Sequence, residues 1–115
     1  MKKLTDVMRV SYSMNEMEGY SKEIIDFFCV RIMEIRVNEE ITNIYLPFDI
    51  YEILSLCLRN DLRFDIEANW QMIRAGHVGA LLGVGFNIYT NSPNDERLKN
   101  YIFYSTVDER WLTFE

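Results

Sequence analysis

The sequence predicts an α+β fold: one compact domain over residues 1–115, with a mostly antiparallel sheet, two amphipathic helices and a C-terminal β-hairpin. Three observations lead to this fold class. A chain of 115 residues with 49% hydrophobic side chains has the size of one globular domain. Two segments repeat apolar residues at the helical spacing of three and four, and most other segments alternate with the period of a strand.

The N-terminal part combines an extended segment with the first helix. Val7–Ser13 alternates weakly, which predicts a short strand or an extended arm. Farther along, four apolar residues share one helical face: Ile24, Ile25, Phe28 and Ile32. Ser21 precedes them and is available as the N-cap of this helix, with Glu23 near the positive end of its dipole.

The segment after this helix admits two interpretations. In Met33–Val37 the apolar period shifts to two, which predicts a strand, while a helix that continues through Val37 is the alternative. Asn38–Glu40 then predicts a turn, and Ile41–Leu46 predicts a second extended run.

A capping pattern predicts the second helix. Asp49 accepts a hydrogen bond from the first turn, and Glu52 reaches back to its amide, as in an Asp variant of the capping box. The apolar residues behind it follow the helical spacing: Ile50, Ile53, Leu54 and Cys57. This helix is expected to run to about Arg59 and to end at Asn60.

The rest of the chain is predicted to be mainly β-structure. Four of the five glycines, Gly76, Gly79, Gly83 and Gly85, mark turns and close backbone approaches. The predicted strands are Leu62–Ile66, Trp70–Ile73 and Phe86–Thr90, followed by a loop at Asn91–Asp95 and by a hairpin of Tyr101–Thr106 with Trp111–Phe114.

Charge and hydropathy exclude several classes of function. With 18 acidic and 12 basic residues the net charge is −6, which argues against direct nucleic-acid binding and against a polybasic membrane anchor. Neither a signal peptide nor a run of about 18 apolar residues is present, so we expect no membrane association and a cytoplasmic location. Cys29 and Cys57 lie among large apolar neighbours and are expected to be buried thiols.

Catalytic and cofactor motifs are not recognisable, and the sequence predicts neither an enzyme nor a cofactor. The glycine run lacks the Gly-Lys-Ser/Thr ending of a phosphate loop and the third glycine of a dinucleotide fingerprint. His77 is the sole histidine and has no zinc-ligand spacing around it, so no metal site is expected. As a general base it would depend on a distant carboxylate.

Acidic residues supply the first set of candidate interaction residues. Glu16 and Glu18, together with Glu39 and Glu40, could present an acidic face to a basic partner. The acidic pair Asp108–Glu109 is instead expected to be a solvated turn of the hairpin.

The glycine run carries a family resemblance. Gly76, Gly79, Gly85, Phe86, Ile88, Asn91 and Pro93 match a glycine-rich run that leads into a core strand and a loop. This run resembles the axial-domain segment of tailed-phage major capsid proteins with the HK97-like fold, although Asn91-Ser92 inverts the family's Ser-Asn order. The chain is too short to hold the arm, extended loop and spine helix of a whole capsid subunit.

Two functional hypotheses follow for a non-enzymatic protein-interaction domain. The resemblance implies a phage structural or capsid-assembly accessory protein, acting through self-association or a protein partner. Its contact surfaces would be the glycine-run segment with His77, Tyr89 and Asn91, and the hairpin with Trp111. The alternative is a small acidic inhibitor or adaptor, of the phage anti-defence type, that binds a basic site on a host protein.

Overall fold

The first helix, α1, spans Met17–Arg36. In the computed structural model, residues 17–58, 61–89 and 101–114 are described, and the side chains of 17–21 and 56–58 are not. The predictions for Val7–Ser13, for Asn91–Asp95 and for Asn60 as a helix end lie outside these residues.

The buried face of α1 is the one that the spacing predicts. Ile24, Ile25, Phe28 and Ile32 are all buried in the core. Ser21 as N-cap is wrong, because the helix begins four residues earlier and encloses it.

The strand predicted over Met33–Val37 is wrong as well, and the continued helix is correct to Arg36. Ile35 lies three residues after Ile32, so it joins the same buried face. Met33 lies on the opposite side of the helix and is 61% exposed, and Val37, which directly follows the helix, is 80% exposed. Over so short a segment, the spacing of apolar residues in a helix cannot be told from the alternation of apolar residues in a strand.

A turn leads from α1 into the sheet, as predicted. The amides of Asn38 and Glu39 donate to the Ile35 carbonyl at 3.1 and 2.9 Å. Strand β1 follows at Ile41–Leu46, with the predicted bounds.

The second predicted helix, α2, spans Phe48–Leu58 and buries Ile50, Ile53 and Leu54. It begins one residue before Asp49, since the Tyr51 amide donates to the Pro47 carbonyl at 3.0 Å. Asp49 therefore lies in the first turn of α2 rather than at the N-cap. Its negative charge still interacts favourably with the positive end of the helix dipole.

The segment between β2 (Phe64–Ile66) and β3 (His77–Leu81) forms a helix that the sequence did not predict. Helix α3 spans Trp70–Arg74 in place of the predicted strand over Trp70–Ile73. Asn69 Oδ1 caps it by accepting from the amide of Gln71 at 2.9 Å.

The remaining strands are β4 at Val84–Ile88, β5 at Phe103–Thr106 and β6 at Trp111–Thr113. β4 begins two residues before its predicted start, and β2 is shorter than predicted. Gly76 (φ +97°) and Gly83 (φ +80°) form turns in the left-handed region, as expected.

The six strands form one sheet in the order β2-β3-β4-β1-β5-β6. Only β1 and β4 pair in parallel, and α2 lies in the long crossover between them. The predicted α+β class, the mostly antiparallel sheet and the C-terminal hairpin of β5 with β6 are confirmed.

Helices α1 and α2 cover one face of the sheet. Ile44 and Leu46 of β1 point into this core and are fully buried. Phe28 of α1 packs on Phe86 at 5.5 Å and stacks on Phe114 at 5.3 Å between ring centroids. Phe114 directly follows β6, so this contact packs the end of the C-terminal hairpin against α1.

Candidate functional site

The other face of the sheet, which we call the second face, carries the side chains that alternate with the core residues. Asn43 and Tyr45 of β1 lie on it, because their neighbours Ile44 and Leu46 point into the core. Pairing between strands places further residues beside them: His77, Asn87, Phe103, Ser105 and Trp111.

Four side chains of the second face form a polar chain that begins directly after β2 and crosses β3 and β4 to β1. Glu67 Oε2 lies 3.3 Å from His77 Nε2, and His77 Nδ1 lies 3.2 Å from Asn87 Oδ1. Asn87 Nδ2 donates to Asn43 Oδ1 at 3.1 Å. Gly85 lies against this chain, since a Cβ there would come within 2.5 Å of Asn43 Oδ1.

Beside the polar chain lies an aromatic cluster of Tyr45, Tyr89, Phe103 and Trp111. Tyr45 stacks on Trp111 at 4.4 Å and on Phe103 at 5.3 Å between centroids. Tyr89 contacts Phe103 at 5.1 Å. Phe103 is fully covered, whereas Trp111 remains 48% exposed.

A groove of about 630 Å³ opens next to this cluster, between β1 and the β5–β6 turn. We call it the β1–β5 groove; its lining includes Thr42, Asn43, Tyr45, Ser105, Glu109 and Trp111. Thr42 Oγ1 already lies 3.1 Å from both the carbonyl and the hydroxyl oxygen of Ser105. Glu109 is the charged group among the lining residues.

The turn before β1 and the β5–β6 turn lie side by side. The Val107 amide donates to the Glu40 carbonyl at 3.2 Å. Glu39 accepts hydrogen bonds from the Tyr104 hydroxyl at 3.0 Å and from Arg110. These bonds lower the pKa of the Glu39 carboxyl, that of Tyr104 having the larger effect, and burial raises the pKa of Tyr104.

Three exposed carboxylates collect at these turns and form what we call the acidic end: Glu40, Asp108 and Glu109. Within the described residues, none of the three takes part in an ion pair, whereas the neighbouring Arg110 is engaged by Glu39. The acidic end therefore carries a local negative charge beside the β1–β5 groove.

β6 is an edge strand with outward-directed backbone groups. On either side of β6, the Phe114 amide donates to the Ile102 carbonyl and the Thr106 amide donates to the Arg110 carbonyl, so in this antiparallel register the alternate residues 110, 112 and 114 face β5. The backbone N–H and C=O of Trp111 and Thr113 consequently point away from the sheet. Such an edge is a template for another strand.

The structure brings together several residues that the sequence singled out. His77, Tyr89 and Trp111 contribute to the second face, and Glu39 and Glu40 lie beside the β5–β6 turn. Glu16 and Asn91 lie outside the described residues, and Glu18 lies in α1 with its side chain outside them.

Sequence reasoning missed Asn43, Tyr45, Glu67, Asn87 and Phe103. A signal for the two β1 residues was present, because they alternate with Ile44 and Leu46 in a strand that the sequence predicts correctly. Their partners required the strand order, which brings β4 and β5 to the two sides of β1.

The carboxylate that lies beside His77 comes from a residue ten positions earlier in the chain. Glu67 lies next to the ring, but neither of its two polar partners, Glu67 and Asn87, is a hydroxyl or thiol nucleophile of the kind that histidine activates. Cys29 is a half-buried free thiol on α1, and burial raises its pKa.

Two kinds of site are absent from the described residues. Over 17–58, 61–89 and 101–114, no three His, Cys, Asp or Glu side chains are grouped so that they could hold a metal ion. None of the helices in these ranges combines the length and the apolar character needed to cross a membrane.

Two further apolar surfaces lie away from the second face. The outer stripe of α1 consists of Val30 and Met33, opposite the buried face of that helix, and continues into Val37, which directly follows the helix. Leu62, Ile66 and Trp70 are exposed near the β2 edge.

Comparison of the chain with family models, with curated proteins and with solved structures gives no match. What the protein does is therefore inferred from the geometry of the second face, the β6 edge and the acidic end.

Proposed function

We propose that the protein is a non-enzymatic protein-interaction domain that receives an extended segment of a partner protein along β6. The observation that carries the proposal is the outward-directed backbone of Trp111 and Thr113, next to a half-exposed aromatic ring and an open groove. Main-chain hydrogen bonds to such an edge supply affinity, and neighbouring side-chain pockets supply specificity.

A protein partner other than a second copy is favoured by charge. Carboxylates lie at both edges of the sheet: Asp65 and Glu67 near β2, and Asp108 and Glu109 near β6. Two copies that joined these edges would bring like charges together, which is unfavourable. Of the two hypotheses from the sequence, this charge pattern supports the acidic inhibitor or adaptor over a self-assembling structural protein of the capsid class.

Selection from a displayed library of random peptides tests the proposal without a known partner. We expect the intact protein to enrich peptides that bind it, and Thr113→Pro to lose that binding. Proline removes an outward N–H of an edge strand and leaves the bonds between β5 and β6 in place.

The matched control is Met33→Glu on the outer stripe of α1, which should bind the selected peptides normally. Circular dichroism verifies that both variants are folded. The proposal would be overturned if no peptide were enriched, or if the selected peptides bound Thr113→Pro as well as they bind the unchanged protein. Loss of binding in Met33→Glu would place the interaction on α1 instead.

A further inference from the structure

The β1–β5 groove and the acidic end restrict the chemistry of the segment that β6 receives. An extended segment paired with β6 directs alternate side chains to the second face, next to Trp111 and Thr113. The side chain beside Trp111 lies at the mouth of the groove, since Trp111 is part of the groove wall.

This position is suited to a cation. Trp111 is 48% exposed, and the face of a tryptophan ring attracts a Lys or Arg side chain. Glu109 lies in the lining of the same groove, whereas the Thr42 and Ser105 hydroxyls already bond to each other across the strands. Glu109 is the charged group of this lining, so a charged ligand at the mouth of the groove would meet a carboxylate.

The surroundings add further negative charge. Glu40 and Asp108 complete the acidic end, and the nearby Arg110 is neutralised by Glu39. A basic residue at the mouth of the groove would consequently be attracted by the carboxylates of the acidic end.

We infer that the partner segment is basic and places a lysine or arginine over Trp111, with its cation directed to Glu109 and the acidic end. This inference rests on the proposed function, and it specifies the class of partner: a protein with an extended Lys- or Arg-bearing segment.

Matched synthetic peptides of about seven residues, the length of one strand, test the inference. They alternate valine with lysine, with glutamine or with glutamate, and their affinities are measured by isothermal titration calorimetry. We expect the lysine peptide to bind about tenfold more tightly than the glutamine peptide at low ionic strength, and the glutamate peptide to bind least. The advantage of lysine should shrink in about 0.5 M salt, which screens exposed charges.

Two triple variants, each lacking three carboxylates, show which carboxylates cause the preference for the lysine peptide. Glu40→Gln/Asp108→Asn/Glu109→Asn removes the acidic end and should abolish the lysine advantage. Asparagine is chosen at position 109 because Glu109 has a φ of +61°, which asparagine adopts readily. Glu23→Gln/Glu52→Gln/Asp65→Asn removes three exposed carboxylates elsewhere and should preserve it.

A third variant, Trp111→Leu, keeps an apolar side chain and removes the ring, so it should weaken the lysine peptide more than the glutamine peptide. The outcomes separate the two proposals. If the lysine and glutamine peptides bind equally and both lose binding in Thr113→Pro, the inference of a basic partner segment is overturned, and the proposal of a protein-interaction domain stands. No binding of any peptide overturns both.

Discussion

At the scale of single residues, the most consequential position on the second face has no side chain. Gly85 sits in β4 against the polar chain, and its absent Cβ leaves space for Asn43 and His77 to approach Asn87. The backbone of Gly85 does not occupy the left-handed region, so space rather than φ requires glycine there.

We therefore expect Gly85→Ala to lower the free energy of unfolding by about 1–3 kcal/mol, the usual cost of overpacking a filled site. A Cβ would lie 2.5 Å from Asn43 Oδ1 and 3.1 Å from His77 Cε1, and the first of these atoms is held by Asn87. Urea denaturation measures the change.

The double variant Asn43→Ala/Gly85→Ala distinguishes crowding from a general loss of stability. Truncating Asn43 removes the atom that the new Cβ meets, so the double variant should be more stable than the sum of the two single effects implies. Strict additivity of the two substitutions would contradict the crowding explanation.

At the scale of elements, the sequence predicted best where many buried residues repeat with one period. The inner face of α1, the bounds of β1 and the buried residues of α2 belong to this class. The end of α1 was ambiguous because Met33–Val37 is too short to separate the two periods. Helix α3 escaped prediction because none of its residues is buried and its cap, Asn69, decides the local conformation.

The candidate site was predictable only in part, for a related reason. His77, Tyr89 and Trp111 could be singled out by residue type, but their partners on the second face come from strands distant in sequence. Asn43 and Gly85, for example, are neighbours only because β1 pairs with β4 in parallel. Register of this kind is a property of the assembled sheet rather than of any one segment.

Glu39 connects two elements, the turn after α1 and the β5–β6 hairpin, through Tyr104 and Arg110. Its pKa is lower in the folded protein than the ordinary value of 4.5. The ionised carboxylate thus contributes stability that is complete above about pH 4.5 and is lost as the pH falls through the lowered folded value.

We expect Glu39→Gln to be less stable than the unchanged protein near neutral pH and to show a smaller loss of stability in acid. The measurement is the urea midpoint of unfolding from about pH 6 to about pH 3. Tyr104→Phe removes the larger cause of the pKa shift and should give an intermediate slope. Parallel curves for all three proteins would show that Glu39 does not link the two turns.

At the scale of the whole molecule, the last strand closes the fold onto the first helix. Phe114 is fully buried against Phe28 and Tyr104, and Arg31 Nε donates to the Phe114 carbonyl at 2.7 Å. The hairpin that carries the proposed interaction edge therefore shares one core with α1, and the two should unfold together.

The two tryptophans allow this cooperativity to be measured. Trp70 lies on α3 and is 72% exposed, so Trp70→Phe should fold normally and leave Trp111 as the single fluorescent reporter of β6. In that background we expect the urea transition of Trp111 fluorescence to coincide with the transition seen by far-ultraviolet circular dichroism of the helices.

Adding Phe114→Ala removes a buried ring. It should lower the free energy of unfolding by about 3–5 kcal/mol and move both transitions to lower urea concentration together. A fluorescence transition at lower urea than the helical one would mean that β6 opens separately, and the edge proposed to receive a partner would then be a locally unfolding segment rather than a preformed template.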